Sequence, residues 1–394
     1  MNILYHHRTQ GRGAEGVHIK GIVRGFELQG HCVILLSPPG VDPLKSAGQY
    51  IYGSSASVLS RFWKAVSRGC PQIVFEGIEL SYNFFHIFRL RRVLSRGKID
   101  FVYERYAFFL WASAALCRWY KVPFIVEVNE IAGIPRARPL ILRRIAQSIE
   151  RFVLIKSFCV VTVSSFNKKK IVEAGIGAHR VVVLPNGVDA DMFTPQVDGS
   201  AVRKNFGLEE SVVIGFVGWI DPWDNLPGLL ETFRDLISTG LKLKLLLIGD
   251  VAGKGVDRNL IAKTAEKFGL TGSVVHIPRV DRADMPRHIA AMDVGIIPDS
   301  NEFGSPVVLF EFMGMGKAVV APSVPPIMDV LVDGENGLIF DAGNLSAMKL
   351  SLSRVVHEKD LRDRLSRNAR RSVDEKHTWN KNAEAVLEIY GKNR

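Results

Sequence analysis

The residues with the plainest chemistry lie late in the chain. There Asn301-Glu302-Phe303-Gly304-Ser305-Pro306-Val307-Val308-Leu309-Phe310-Glu311 follows the strand-like Asp293-Val294-Gly295-Ile296-Ile297-Pro298. A strand that ends in a glycine loop and re-enters a helix near Pro306, a residue suited to a first helical turn, leaves backbone N–H groups unbonded at the helix start. Those amides, around Gly304, Ser305, Val307 and Val308, make an anion site matched to a diphosphate. Glu311, one turn further in, has the lone pairs to accept hydrogen bonds from two ribose hydroxyls. The alternative is a surface carboxylate that partners the helix dipole. Phe310, Phe312 and Met313 around Glu311 favour the ligand role.

A second glycine-rich segment, Gly11-Arg12-Gly13-Ala14-Glu15-Gly16, lies between a strand-like Asn2–His6 and an expected helix Val17–Leu28. It matches G-x-G-x-x-G, but a dinucleotide site needs the first glycine to turn directly off the strand and a carboxylate after the second strand. Here His7-Arg8-Thr9-Gln10 intervene, and Leu35-Leu36-Ser37-Pro38 carries no acid. A nicotinamide or flavin cofactor is therefore not expected. Two roles stay open for Gly13, Ala14 and Gly16: their amides approach a diphosphate, or the glycines only permit a tight turn.

The elements that must position these loops alternate short β-branched or leucine-rich runs with helical stretches, the pattern of parallel sheets covered by helices. Strands are expected at Asn2–His6, Cys32–Leu36, Ile99–Tyr103, Phe124–Val128, Cys159–Val163 and Val181–Leu184. A second series runs through Val212–Val217, Lys244–Ile248, Val274–Ile277, Val294–Ile297 and Ala318–Ala321. Turn formers in Pro185-Asn186-Gly187-Val188-Asp189, with Phe193 and Pro195, punctuate the two series. The expected domains are residues 1–195 and 196–377, with 378–394 a helix able to pack back on the first domain through Trp379, Ala383, Val386, Leu387 and Tyr390. Two such sheets gather their strand ends around a common cleft, where open α/β sheets bind ligands.

A chain of 394 residues with 47% hydrophobic and 23% charged residues suits two globular cores. No run is apolar enough to span a bilayer. Met1–His6 enters a strand directly, so nothing points to export, and a cytoplasmic location is expected. Cys32, Cys70, Cys117 and Cys159 have no paired spacing and are expected as buried thiols. Residues 1–200 hold 26 Lys/Arg against 14 Asp/Glu and residues 201–394 hold 25 against 26, so net charges of +12 and −1 make up the total of +11. A basic first half suits an anionic partner, phosphate-bearing lipid at a membrane surface or nucleic acid; the alternative is that the charge serves only solubility. Its cations mix with apolar residues, in Phe62-Trp63-Lys64 with Arg61 and Arg68, in Phe88-Arg89-Leu90-Arg91-Arg92 and in Arg136 to Arg144. That mixture suits peripheral contact with the inner face of an anionic membrane rather than nucleic acid.

The order of these segments along essentially the whole chain resembles the group 4 retaining glycosyltransferases of the GT-B fold, two Rossmann-like doubly wound parallel-sheet α/β domains facing a central cleft. The resemblance runs from the glycine loop with Glu15 and His18 through Tyr103-Glu104-Arg105-Tyr106, Glu127-Val128-Asn129 and Leu184-Pro185-Asn186-Gly187-Val188-Asp189. It continues through Gly215-Phe216-Val217-Gly218, Leu247-Ile248-Gly249-Asp250 and the Glu311 segment to Asp333-Gly334-Glu335-Asn336-Gly337-Leu338. The resemblance implies that Glu311 binds the ribose of a nucleotide-sugar donor, that the neighbouring amides bind its diphosphate, and that no metal or other cofactor is required. It places His18, Glu104 and Arg105 on the acceptor side, with a glycan or lipid-linked acceptor. Arg105 has a second reading, as a structural ion pair with Glu104 or Glu127.

Three departures qualify the family pattern. Counting back from Glu311 to the usual partner glutamate lands on Phe303, with Glu302 one place early, so a one-residue shift makes Glu302 the sugar-contacting carboxylate or that group is missing. In Trp219-Ile220-Asp221-Pro222-Trp223-Asp224-Asn225 the usual phosphate-binding Arg and Lys are replaced by Trp219 and Asp224, leaving Arg279 and Lys317 as candidate cations. Asn129 stands where a histidine is common, and an amide holds a hydroxyl but cannot act as a base near neutral pH. An active retaining transferase for cell-surface glycoconjugates is the first expectation. A non-catalytic glycosyltransferase-like subunit, binding a partner enzyme or a sugar nucleotide, is the second.

Overall fold

A computed structural model describes residues 1–11, 13–44, 71–134, 140–219, 224–238, 240–250 and 259–392. The chain divides into two compact units, Met1–Pro185 with Asn382–Arg394, and Asn186–Lys381. The division falls at Pro185 rather than near residue 195. Val188 and Phe193 are buried in the core of the second unit, so the turn cluster belongs to it.

The first unit holds a six-stranded parallel sheet in the order β2-β1-β3-β4-β5-β6. Its strands are β1 (Asn2–His6), β2 (Cys32–Leu36), β3 (Phe101–Arg105), β4 (Phe124–Val128), β5 (Cys159–Thr162) and β6 (Val181–Val183). Strand residues alternate faces, so Ile3, Tyr5, Tyr103, Ile125 and Val161 pack on Ile19, Ile22 and Phe26 of α1 (Gly13–Leu28). On that same face lie Ala383, Val386 and Tyr390 of the last helix, Trp379–Lys392. Leu4, Val102, Val126 and Val160 face the other way, onto α2 (Gln72–Arg96), α3 (Ala112–Tyr120) and α4 (Arg143–Lys156). Both faces are covered, which is why these strands read as continuous apolar runs.

The second sheet has the order β12-β11-β10-β7-β8-β9. Its members are β7 (Val212–Val217), β8 (Leu243–Ile248), β9 (Val274–Ile277), β10 (Val294–Ile296), β11 (Ala318–Pro322) and β12 (Leu338–Phe340). Strand β12 is an addition to the expected series, a short edge strand paired among the described residues to β11 alone. At the sheet centre Gly295 is required, because a Cβ there would come within 2.5 Å of the Phe312 ring.

Three further expectations are corrected. Helix α1 begins at Gly13, not Val17, so the glycine run forms its first turn. Strand β3 is shifted two residues on, to Phe101–Arg105, because Asp100 instead accepts from the Asn2 amide at the sheet margin. Cys32 is exposed, since β2 is an edge strand whose alternate residues face outward, whereas Cys117 and Cys159 are buried. Cys70, the Arg61 to Arg68 cluster and Arg136 lie outside the described residues. Among the described residues, no helix is long and apolar enough to cross a membrane.

Candidate functional site

In the second unit the loop after β10 is held by its own polar side chains. Asn301 Oδ1 accepts from the amides of Phe303 (3.2 Å) and Gly304 (2.6 Å), which folds the turn. Asn186 then grips Ser305: its amide donates to Ser305 Oγ (3.1 Å) and its Nδ2 to Ser305 O (2.7 Å). Ser305 is buried and Glu302 exposed. The helix α5 (Val307–Gly314) starts behind Pro306 with no side-chain cap, so its first amides are available to an anion.

Glu311 lies one turn into α5 and is 3% exposed, which removes the surface-carboxylate alternative. Its carboxylate pairs with Arg282, on the loop after β9. Burial pushes the Glu311 carboxyl above its ordinary pKa, and the Arg282 charge and hydrogen bond act against that rise. The Arg282 guanidinium also lies over the Phe193 ring, 4.6 Å from its centroid.

The two cations named from sequence fare differently. Arg279 is exposed on the loop that carries Arg282, after the carboxyl end of β9. Lys317 precedes β11, at the amino edge of the sheet, where its Nζ donates to Ala290 O at 2.9 Å. It is therefore not near α5's first turn, and burial lowers its pKa to about 8. Trp219, 43% exposed, follows β7; Ile220 to Trp223 lie outside the described residues.

In the first unit, Gly13 and Ala14 open α1, and Gly13 takes φ +62°. Gly16 is needed for packing, since a Cβ there would stand 2.2 Å from the Gly11 carbonyl oxygen. Thus the glycines proposed for the donor sit on one unit and Glu311 on the other.

Two buried carboxylates organise the strand ends of the first unit. Glu127 accepts from His18 Nε2 (2.7 Å), Tyr103 OH (2.9 Å), Arg105 Nη1 (2.8 Å) and Asn129 Nδ2 (2.6 Å). Burial raises its pKa, but His18, Arg105 and Asn129 pull harder and bring it to about 2. Arg105 is accordingly an ion-pair partner of Glu127, and His18 and Arg105, both expected on the acceptor side, converge with Asn129 on one anion.

Glu104 does not join them. The strand alternation turns it to the opposite face, fully buried against His6 Nδ1 at 2.5 Å and against Ser113, which also takes a hydrogen bond from His86 at 2.8 Å. Burial pushes Glu104 up to about 7 and holds His6 and His86 well below their usual values. His6, His86 and Glu104 have ligand atoms close enough for a metal. The two imidazoles, however, stack at 3.7 Å with planes 16° apart, so their lone pairs cannot both point at one ion. The arrangement suits a hydrogen-bonded cluster instead.

Sequence reasoning missed Arg282, Asn186, and the histidines beside Glu104. Arg282 resembles any other loop arginine; only the fold brings it to Glu311.

Residues 15–192 match the family described as Glycosyltransferase Family 4, and residues 200–372 match Glycosyl transferases group 1. A D-inositol 3-phosphate glycosyltransferase from Nocardioides sp. is 32% identical over 228 residues, 55% of this chain and 49% of that protein. The chain thus spans about half the length of this curated relative. The crystal structure of a glycosyltransferase from Rickettsia africae is similar with a TM-score of 0.75 at 17% identity, over 100% of this chain and 98% of that one. That of Anabaena Alr3699/HepE in complex with UDP has a TM-score of 0.71 at 16% identity, over 100% of both chains. At such identities the structures establish a shared fold, two Rossmann-like domains.

Proposed function

We propose, from the premise that this chain belongs to the Family 4 and group 1 glycosyltransferases, that it moves a sugar from a nucleotide-sugar donor to a glycan, lipid-linked or other cell-surface acceptor with retention of configuration. The observation that carries the donor half is Glu311, buried one turn behind the uncapped start of α5. A ribose diol fits the carboxylate, and a diphosphate fits the amides around Ser305, Val307 and Val308. Those fixed N–H dipoles would stabilise the charge that develops as the anomeric carbon–oxygen bond breaks, which is the ground for proposing metal independence. The acceptor hydroxyl forms the new bond to the anomeric carbon, and its proton passes to the leaving phosphate, because Asn129 cannot accept it. Glu302, exposed on the same loop, is the candidate for contact with the sugar.

Membrane contact belongs to the same proposal and rests on two helices of the first unit. The outer face of α2 exposes Phe84, Phe85 and Phe88 beside Arg91 and Arg92. That of α4 exposes Ile145, Phe152 and Ile155 beside Arg144 and Arg151. Aromatic and aliphatic side chains among arginines suit the headgroup boundary of an anionic bilayer. Glu76 ties the helices together, accepting from the amides of Ile141 (2.8 Å) and Leu142 (2.7 Å) at the start of α4.

The test is calorimetric titration with UDP and GDP, with and without magnesium, on the unaltered chain and on Glu311→Ala. UDP comes first because the Anabaena neighbour is in complex with it. Metal-independent binding that Glu311→Ala abolishes is the expected result. The second reading, a non-catalytic subunit, draws on the lack of cations at Trp219 and Asp224. It takes precedence if no nucleotide binds.

A further inference from the structure

Glu311 is a nearly enclosed carboxylate with a single protein partner among the described residues. Arg282 donates through Nη1 to Oε1, while Oε2 accepts from none of them. Arg282 is itself held, its side chain 20% exposed and its guanidinium lying on the buried Phe193 ring. A carboxylate on a helix can turn about its terminal bond, and one pinned through a single oxygen cannot. Glu311 is 3% exposed, so its enclosure is not complete.

We propose that Arg282 is a positioning residue of the donor site, holding Glu311 by Oε1 so that Oε2 faces the ligand and makes the site selective for a nucleotide with free ribose hydroxyls. This rests on the donor-site reading above and deepens it. Arg279 does not take this part, because it is exposed, and Lys317 stands at the other edge of the sheet. Removing Arg282 leaves Glu311 buried without a cation, so the carboxylate loses both its orientation and its partner.

The experiment compares the affinities of UDP and 2′-deoxy-UDP, or of the guanosine pair if GDP is the nucleotide that binds. The proteins are the unaltered chain, Arg282→Met and Arg282→Lys. The unaltered chain should favour the ribonucleotide by about tenfold or more, the effect of a hydrogen bond to a charged group. In Arg282→Met that preference should collapse to about twofold, through loss of ribonucleotide affinity with little change for the deoxy form. Arg282→Lys, which keeps the charge and one donor, should recover much of the preference and guards against a folding defect in the methionine variant. An equal loss for both nucleotides in the two variants, or a preference left intact in Arg282→Met, overturns the proposal. Failure of the unaltered chain to bind any of the four nucleotides would overturn the donor-site reading itself, a separate result.

Discussion

At the scale of single residues, two carboxylates on neighbouring strands show how far environment overrides residue type. Glu127 gathers four donors and ionises easily, with a pKa of about 2, whereas Glu104, among neutral histidines and a serine, rises to about 7. For Glu127 the folded pKa lies below its ordinary 4.5, so its contribution is complete above about pH 4.5 and is lost as pH falls toward 2. Glu127→Gln leaves the Arg105 guanidinium without its anion and should destabilise the first unit by about 3 kcal/mol or more at neutral pH. Urea unfolding at pH 7 and pH 3 tests this: the gap between the two proteins should narrow at the lower pH, and a constant gap would contradict the assignment. The sequence placed Glu127 in a family tag beside Asn129 but offered no sign that His18 would meet it. That pairing is a contact across 109 positions in the chain.

At the scale of elements, the strands were legible because parallel strands buried on both faces must be apolar throughout. Helix α1 starts four residues earlier than expected because Gly13, its first residue, takes a left-handed φ, so the glycine run that reads as a loop forms the first turn. The outer face of α2 was only half legible: the run of arginines was visible, but which side of the helix they share with Phe84 and Phe88 depends on which side the sheet covers. From that face follows a measurable consequence. Replacing Phe84 and Phe88 together by serine should reduce sedimentation with vesicles of anionic lipid several-fold, without altering nucleotide binding. Undiminished sedimentation would remove α2 from the membrane proposal, and equal binding to uncharged vesicles would remove the role of the arginines.

At the scale of the whole molecule, the end of the chain completes the start of it. Tyr390 is 4% exposed, its ring 4.8 Å from Phe101 and its hydroxyl 3.2 Å from Asp100 O. Truncating it by Tyr390→Ala should cost the first unit about 3 kcal/mol through the cavity and the lost hydrogen bond. Scanning calorimetry should show one transition lowered while that of the second unit stays in place; a joint shift would mean that the two units unfold together. The amphipathic period of this last helix was plain from Trp379, Ala383, Val386 and Tyr390. That this helix joins the first unit from Asn382 on is a property of the packed chain. What the order of residues determined alone was therefore the alternation of strands and helices, the glycine turns and the uncapped helix before Glu311, because each follows from local backbone and burial requirements. The partners of the buried charges were decided only by tertiary structure. Arg282 for Glu311, His18 for Glu127 and His6 for Glu104 come from separate elements, and no local preference encodes a contact that exists only once the sheet of its own unit has formed.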